Sequence, residues 1–313
     1  MPKLNEYTFK SGNCKNNIYV REWLPDSAPI GVVQIVHGVA EHMPRYDEFA
    51  QFLASKGFVV SGNDHLGHGN SIGSLNDQGY FGEHGGWELV VGDVRKLYEQ
   101  LRERYPNVPR FIFGHSMGSF ITRTYVIRYH DGPDGVILSG TGQQAKPMVA
   151  AGIALANREI KHHGAAHPSE LVNKVAFGTY NRKIKKPISD YDWVTTDRAS
   201  LEEYLADPLC GFVPTAGLFR DMFTGIKYVS SPRNLTRVNK DLPIFLISGT
   251  ADPVGDYGKG VIRTYKGYTD AGLQDVTLKL YPNARHELVG DVNRQAVFAD
   301  VLDWLTKHSN KKQ

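Results

Sequence analysis

One pentapeptide in the 313-residue chain is arranged for nucleophilic chemistry: Gly114-His115-Ser116-Met117-Gly118. It fits G-x-S-x-G, the pattern of a serine held on a sharp strand-to-helix turn. The apolar run Phe111-Ile112-Phe113 precedes it, and Phe120, Thr124, Val126 and Ile127 follow at helical spacing. The flanking glycines are needed because a Cβ at either would collide with neighbouring backbone in so tight a turn. Such a turn lifts the serine oxygen above a sheet and leaves the N–H of Met117 at a helix N-terminus, where it can face a developing oxyanion. A serine hydroxyl is a weak nucleophile at neutral pH, so it needs a base within hydrogen-bond reach and an acid that orients the base. The expected chain order is serine, acid, histidine. Asp252 follows the apolar run 244–247 by a few residues, and His286 follows the run 276–281 in the same way. Asp256 is the nearest competitor for the acid. A second oxyanion donor is expected after the run 31–36, where Gly38 permits a tight turn and the backbone N–H of Val39 is the natural donor.

Other residues invite different chemistry. His65 and His68 stand at i, i+3, but glycines interrupt the stretch and the His-Glu-x-x-His pattern of a helical zinc site is lacking. A loop packed around the serine turn is the better reading, and no metal or organic cofactor is expected. His162, His163 and His167 are solvated or face the substrate. Cys14 and Cys210 are far apart and make neither a disulfide framework nor a metal cluster. They read as free thiols in a reducing compartment, with Cys210 a candidate neighbour of the substrate.

These residues need a scaffold. The runs 31–36, 57–61, 110–113, 135–138, 244–247 and 276–280 read as strands, and most are continuously apolar. That is the signature of strands covered on both faces, as in a parallel sheet. Helical patterns lie between them. Trp87, Val90, Val94, Leu97, Leu101 and Tyr105 recur at spacings of three and four before Pro106, and Val297, Val301, Leu302 and Leu305 form a second stripe. Alternating strands and helices predict an α/β fold with a mostly parallel sheet flanked by helices. The alternation breaks after residue 138 for roughly a hundred residues, far longer than an ordinary crossover. This gap, in which 199–205 and 216–223 read as short helices, is expected to be an inserted helical cap, residues 143–231. Residues 1–142 and 232–313 are expected to form one catalytic core, because Ser116 precedes the gap and Asp252 and His286 follow it.

Composition limits the alternatives. With 36 basic and 33 acidic residues the net charge is +3, and 41% of residues are hydrophobic. A nucleic-acid binder would cluster its basic residues; Lys183, Lys185, Lys186 and the tail Lys311, Lys312 read as solvated surface. The N-terminus has no signal-peptide core. The longest apolar stretch, 148–156, is about half a bilayer span. A cytoplasmic protein is expected, with transient membrane-surface contact through the cap; the oligomeric state is left open.

Four separated segments together resemble one family. His37-Gly38-Val39-Ala40-Glu41-His42 with Arg45-Tyr46 is similar to H-G-x-x-E-H-x-x-R-Y, and Asp64 to Ser71 is similar to D-x-x-G-H-G-x-S. Gly114 to Gly118 is similar to the G-H-S-M-G elbow, and Asp252-Pro253-Val254 and His286-Glu287 resemble the acid and base loops. The pattern is that of the α/β-hydrolase superfamily, within it the monoacylglycerol lipase and lysophospholipase group (the serine aminopeptidase-like hydrolases). The resemblance implies an eight-stranded sheet, Ser116 as nucleophile, His286 as base, Asp252 as orienting acid, and Val39 and Met117 as oxyanion donors. It implies hydrolysis of a small lipid ester carrying a single acyl chain. Two alternatives stand beside it: a peptidase holding a substrate ammonium with Glu202, Glu203 and Asp207, and a non-catalytic binding protein of the same fold.

Overall fold

A computed structural model describes residues 2–309; Lys311 and Lys312 lie outside the described residues. The chain runs β1 (Lys3–Lys10), β2 (Asn17–Leu24), β3 (Gly31–Val36), α1 (Asp47–Ser55), β4 (Phe58–Asn63), α2 (Gly86–Arg104), β5 (Arg110–His115), α3 (Met117–Arg128) and β6 (Gly135–Ser139). Five helices follow: α4 (Lys146–His163), α5 (Glu170–Phe177), α6 (Arg198–Ala206), α7 (Ala216–Val229) and α8 (Pro232–Leu235). The chain then returns through β7 (Ile244–Gly249), α9 (Lys259–Asp270), β8 (Val276–Tyr281) and α10 (Arg294–Ser309).

The strands form one eight-stranded sheet in the order β1-β2-β4-β3-β5-β6-β7-β8. β1 and β2 pair antiparallel, and β2 joins β4 antiparallel. From β4 to β8 every pairing is parallel. The continuously apolar runs are the central strands, whose side chains alternate between two covered faces. Val32, Val36 and Ile112 pack with Val90, Val94 and Leu97 of α2 and Tyr268 of α9. Val33, Ile35, Phe111 and Phe113 pack on the opposite side with Phe49 of α1 and Phe298 of α10.

The two N-terminal strands carry no continuous apolar run. β1 is an edge strand exposed along most of its length, and β2 alternates buried Ile18 and Val20 with half-exposed neighbours. Between β6 and β7, α4 lies along α7, and α7 in turn rests on α2 and α3. Among the described residues no helix is long and apolar enough to cross a membrane.

Candidate active site

β3, β5, β7 and β8 lie parallel, so the loops leaving their C-terminal ends meet at one edge of the sheet, where ligands bind in open α/β sheets. Ser116 sits between β5 and α3 with φ 51° and ψ −119°. A non-glycine residue at such angles costs of order 1–3 kcal/mol and persists only where its surroundings enforce it. Its N–H donates to the carbonyl of Ser139 at 2.9 Å, and its carbonyl accepts from Ser119 Oγ at 2.6 Å. Gly118 has no room for a Cβ, which would lie 2.5 Å from the carbonyl oxygen of His37. The serine turn is thus pressed against the loop after β3.

Asp252 and His286 are brought together from the loops after β7 and β8. His286 Nδ1 lies 3.1 Å from Asp252 Oδ1, and both side chains are buried. The carboxylate is fixed from behind: Val254 N–H donates to Oδ1 at 2.8 Å and Ser248 Oγ to Oδ2 at 3.2 Å. Burial is the largest influence on His286 and opposes its charge, but the Asp252 carboxylate, helped by Glu41 and Glu287, raises the imidazole above its ordinary value. The ring of His115 lies 4.7 Å from that of His286. Burial, and then the charge of His286, push His115 far below its ordinary value, so it stays neutral beside a protonating partner. Asp256 is elsewhere engaged, paired with Arg263 at 3.0 Å on the surface.

Val39 and Met117 both border the cavity that Ser116 and His286 line. Neither backbone N–H donates to another described residue; that of Met117 is an unpaired first donor of α3. The Val39 loop is braced by groups the sequence revealed only as motif letters. Glu41 accepts from the N–H of Gly38 and, at 2.8 Å, from Tyr46 Oη. Gly38 is required there, since a Cβ would lie 3.0 Å from that of Ser116. Arg45 pairs with Glu287 at 2.6 Å. Burial and the nearby Glu287 raise the carboxyl of Glu41 above the usual carboxylate range. Asp64 accepts from the N–H groups of Met43 and Asn70, at 2.8 and 2.7 Å. His37 Nε2 accepts from His65 N–H at 2.9 Å, and its ring lies against that of His65 at a tilt, with centroids 4.0 Å apart. These histidines brace the loops after β3 and β4 against each other.

Trp193 is a contact that sequence reasoning missed. It was visible only as one aromatic among several between β6 and β7. Its ring lies 5.2 Å from His286, 4.9 Å from Tyr180 and 6.2 Å from Phe177. The backbone around it is tied to the histidine loop: Arg285 Nη1 donates to the carbonyls of Asp192 and Thr195, at 2.6 and 2.8 Å, and Glu287 N–H to Val194 at 2.7 Å.

The cavity has a volume of about 730 Å³, within the ~300–1,000 Å³ usual for small-molecule sites. From Ser116 it runs between Phe120 of α3, Gly152 and Leu155 of α4, Phe177 of α5, and Met222 and Phe223 of α7. The apolar stretch 148–156 therefore contributes part of the wall, while Met148 at its start is 69% exposed. Gln144, Arg182, Asp256, Tyr257 and Arg263 supply polar groups. His162, His163 and His167 are exposed and do not border the cavity. Neither do Glu202, Glu203, Asp207 or Cys210; Asp207 pairs with His42 at 2.6 Å.

The arrangement offers a strained serine, a buried carboxylate–imidazole pair, two free N–H donors and a long apolar pocket. These are the components of acyl transfer from an ester. The family model for serine aminopeptidase S33 matches residues 27–293. The chain is 32% identical over 294 residues to the monoacylglycerol lipase of Mycolicibacterium smegmatis, covering 91% of each. It is 28% identical to the mouse monoglyceride lipase, over 92% of this chain and 86% of that one. Among solved structures it is similar to a thermostable carboxyl esterase from Bacillus coagulans in complex with glycerol, with a TM-score of 0.91, 29% identity, and 97% and 98% of the two chains covered.

Proposed function

Since the chain belongs to the serine aminopeptidase S33 family of α/β-hydrolases and is a monoacylglycerol lipase-like serine ester hydrolase, we propose that Ser116, His286 and Asp252 are its catalytic triad. Val39 and Met117 donate the oxyanion-hole N–H groups. His286 takes the proton of Ser116 Oγ as that oxygen attacks the ester carbonyl. The two N–H donors meet the developing oxyanion; one such donor is worth about 2.7–4 kcal/mol in related acyl transfer. His286 then gives the proton to the departing alcohol. Water, deprotonated by the same imidazole, attacks the acyl-enzyme and releases the fatty acid. Asp252 stays ionised throughout and stabilises the imidazolium. His115 stays neutral and adds no opposing charge.

The observation that carries this reading is the buried Asp252–His286 pair at 3.1 Å beside one apolar cavity that Ser116 also lines. The cavity favours a single long acyl chain along α4 and α7, with the glycerol or phospho-alcohol portion toward its polar residues. We read residues 143–231 as a cap that completes this cavity over a core of residues 1–142 and 232–313. Met148 and Val175 border the cavity and also stand exposed, so this rim makes transient contact with the lipid surface that supplies the ester.

The test combines labelling with a substrate screen. A fluorophosphonate should label the wild type and not Ser116→Ala. Long-chain monoacylglycerol should be hydrolysed in preference to acetyl and butyryl esters and to aminoacyl anilides. Absence of label on the wild type would remove the assigned nucleophile. A preference for anilides would move the reading to a peptidase.

A further inference from the structure

Away from the reaction centre, three side chains of different donor chemistry converge where the turn after α6 meets the loop after β3. One ligand atom each of His42, Asp207 and Cys210 lies within 4.8 Å of the others. His42 Nε2 is 2.6 Å from Asp207 Oδ2. The turn is already formed: Leu209 N–H donates to Asp207 Oδ1 at 2.8 Å, and Cys210 N–H to the Asp207 carbonyl at 3.0 Å. It is anchored on the loop after β3, because the N–H of Gly211 and the hydroxyl of Tyr204 both donate to the Ala40 carbonyl, at 2.9 and 3.2 Å. His42 and Cys210 are buried, whereas the Asp207 side chain is 31% exposed and gives access from solvent.

We propose that His42, Asp207 and Cys210 form a binding site for a divalent ion of the zinc class, which clamps the cap turn to the loop after β3. Imidazole nitrogen, carboxylate oxygen and thiolate sulfur are the ligand types zinc takes, with water able to fill the fourth tetrahedral position. Magnesium and calcium select cages of oxygen and gain nothing from the sulfur. Zinc–nitrogen and zinc–oxygen bonds of about 2.0 Å imply a ligand separation of roughly 3.3 Å, so the His42–Asp207 gap opens by about 0.7 Å. The partly exposed Asp207 side chain can make that movement. The proton balance closes without a further reactant. Cys210 loses its thiol proton to solvent on forming the metal–sulfur bond. The 2.6 Å approach of His42 Nε2 to the Asp207 carboxylate places a proton on Nε2. The metal displaces it, and it moves to Nδ1, which is buried and without a partner among the described residues, or leaves to solvent where Nδ1 already carries one. The site uses none of the proposed reacting groups, so it stands or falls separately from the triad.

The full chain, reduced and metal-free, is titrated with cobalt(II) while the near-ultraviolet thiolate-to-cobalt charge-transfer absorption is followed. The only other cysteine is Cys14, so the experiment is run in Cys14→Ser. One equivalent of cobalt should give the band, zinc should displace it, and zinc should raise the melting temperature. Cys210→Ser should lack the band. His42→Gln and Asp207→Asn should weaken cobalt binding by more than about 100-fold, the upper range for loss of a supporting outer-shell group. No band in Cys14→Ser, or a band that persists in Cys210→Ser, overturns the proposal. Should His42→Gln fail to fold, Asp207→Asn at the exposed position decides, and unchanged cobalt affinity there also overturns it.

Discussion

Replacing Asp252 by Asn separates two roles that a buried carboxylate can play toward a catalytic histidine: charge and tautomer control. In the serine-protease triad the same change reverses the tautomer and costs roughly 10⁴ in kcat. Here the neighbours dictate a different outcome. Oδ1 of Asp252 faces His286 Nδ1 and also accepts from Val254 N–H at 2.8 Å. An amide NH₂ at that position would put donor against donor, so Asn keeps its oxygen there. Its NH₂ then takes the Oδ2 position and donates to Ser248 Oγ, a hydroxyl that can turn from donor to acceptor. His286 keeps the proton on Nδ1 and loses only the charge opposite it.

A unit charge about 4 Å away at an effective dielectric near 20 is worth about 4 kcal/mol. At about 1.4 kcal/mol per decade that is a loss near 10³ in kcat/KM, about tenfold smaller than a reversed tautomer gives. The pH profile carries an independent sign. Asp252 raises the His286 pKa and burial lowers it. Without the carboxylate only burial and the more distant glutamates remain, so the acid limb of kcat/KM moves to lower pH as the plateau falls. The assay is kcat/KM against pH for a long-chain monoacylglycerol. A loss below tenfold would remove Asp252 from its assigned role. An acid limb that stays put or moves upward would refute the electrostatic account, and a loss of 10⁴ or more would refute the orientation that Val254 is argued to impose.

Three further outcomes follow from single contacts. Gly118→Ala drives a methyl into the carbonyl oxygens of Val36 and His37, and urea unfolding should show a loss of about 3 kcal/mol. Gly152→Leu fills the cavity wall where even a Cβ comes within 2.9 Å of Phe223. Discrimination among acyl lengths should shift toward shorter chains, by about fourfold in kcat/KM for each methylene that no longer fits, from about 0.8 kcal/mol per buried CH₂; an unchanged length profile would place the chain elsewhere. Trp193→Ala removes the ring against His286 and should lower the melting temperature, a buried Trp→Ala change costing about 3–5 kcal/mol. In steady-state kinetics it should lower kcat more than it raises KM, and Trp193→Phe should restore most of kcat.

The central sheet and the assigned reacting groups were legible because their constraints are local. Runs such as GVVQIV and RFIF are buried on both faces, so apolar continuity alone marks them. The turn of Ser116 needs small neighbours at fixed offsets, and Asp252 and His286 each follow a strand by a few residues. β1 and β2 escaped notice because an edge strand and its antiparallel neighbour carry few consecutive apolar residues. α5 escaped for another reason: Leu171, Val172, Val175 and Ala176 do recur at helical spacing, but over only eight residues, a length at which a short apolar run does not separate helix from strand. Trp193 was illegible in principle, since nothing within its segment says that it packs on a histidine 93 residues later.

That last contact changes what the region between β6 and β7 can do. A lid that only covers a pocket would affect how substrate enters, and its substitutions would fall on KM. This segment does more. Arg285 and Glu287, on either side of His286, are bonded to the backbone of residues 192, 194 and 195. Thr195 Oγ1 donates to the Gly290 carbonyl at 2.9 Å, and Thr196 N–H to Asp291 Oδ2 at 3.1 Å. A rigid movement of this strap would drag the histidine loop with it. Any opening would thus be confined to elements free of those bonds, such as α4 with its exposed Met148. The wall toward α4 is not tied to the histidine loop by these bonds, whereas the wall formed by Trp193 is held against the imidazole. If the proposed triad and acyl pocket hold, changes in α4 should redistribute substrates, whereas changes in the strap between β6 and β7 should reach the rate of the chemical step.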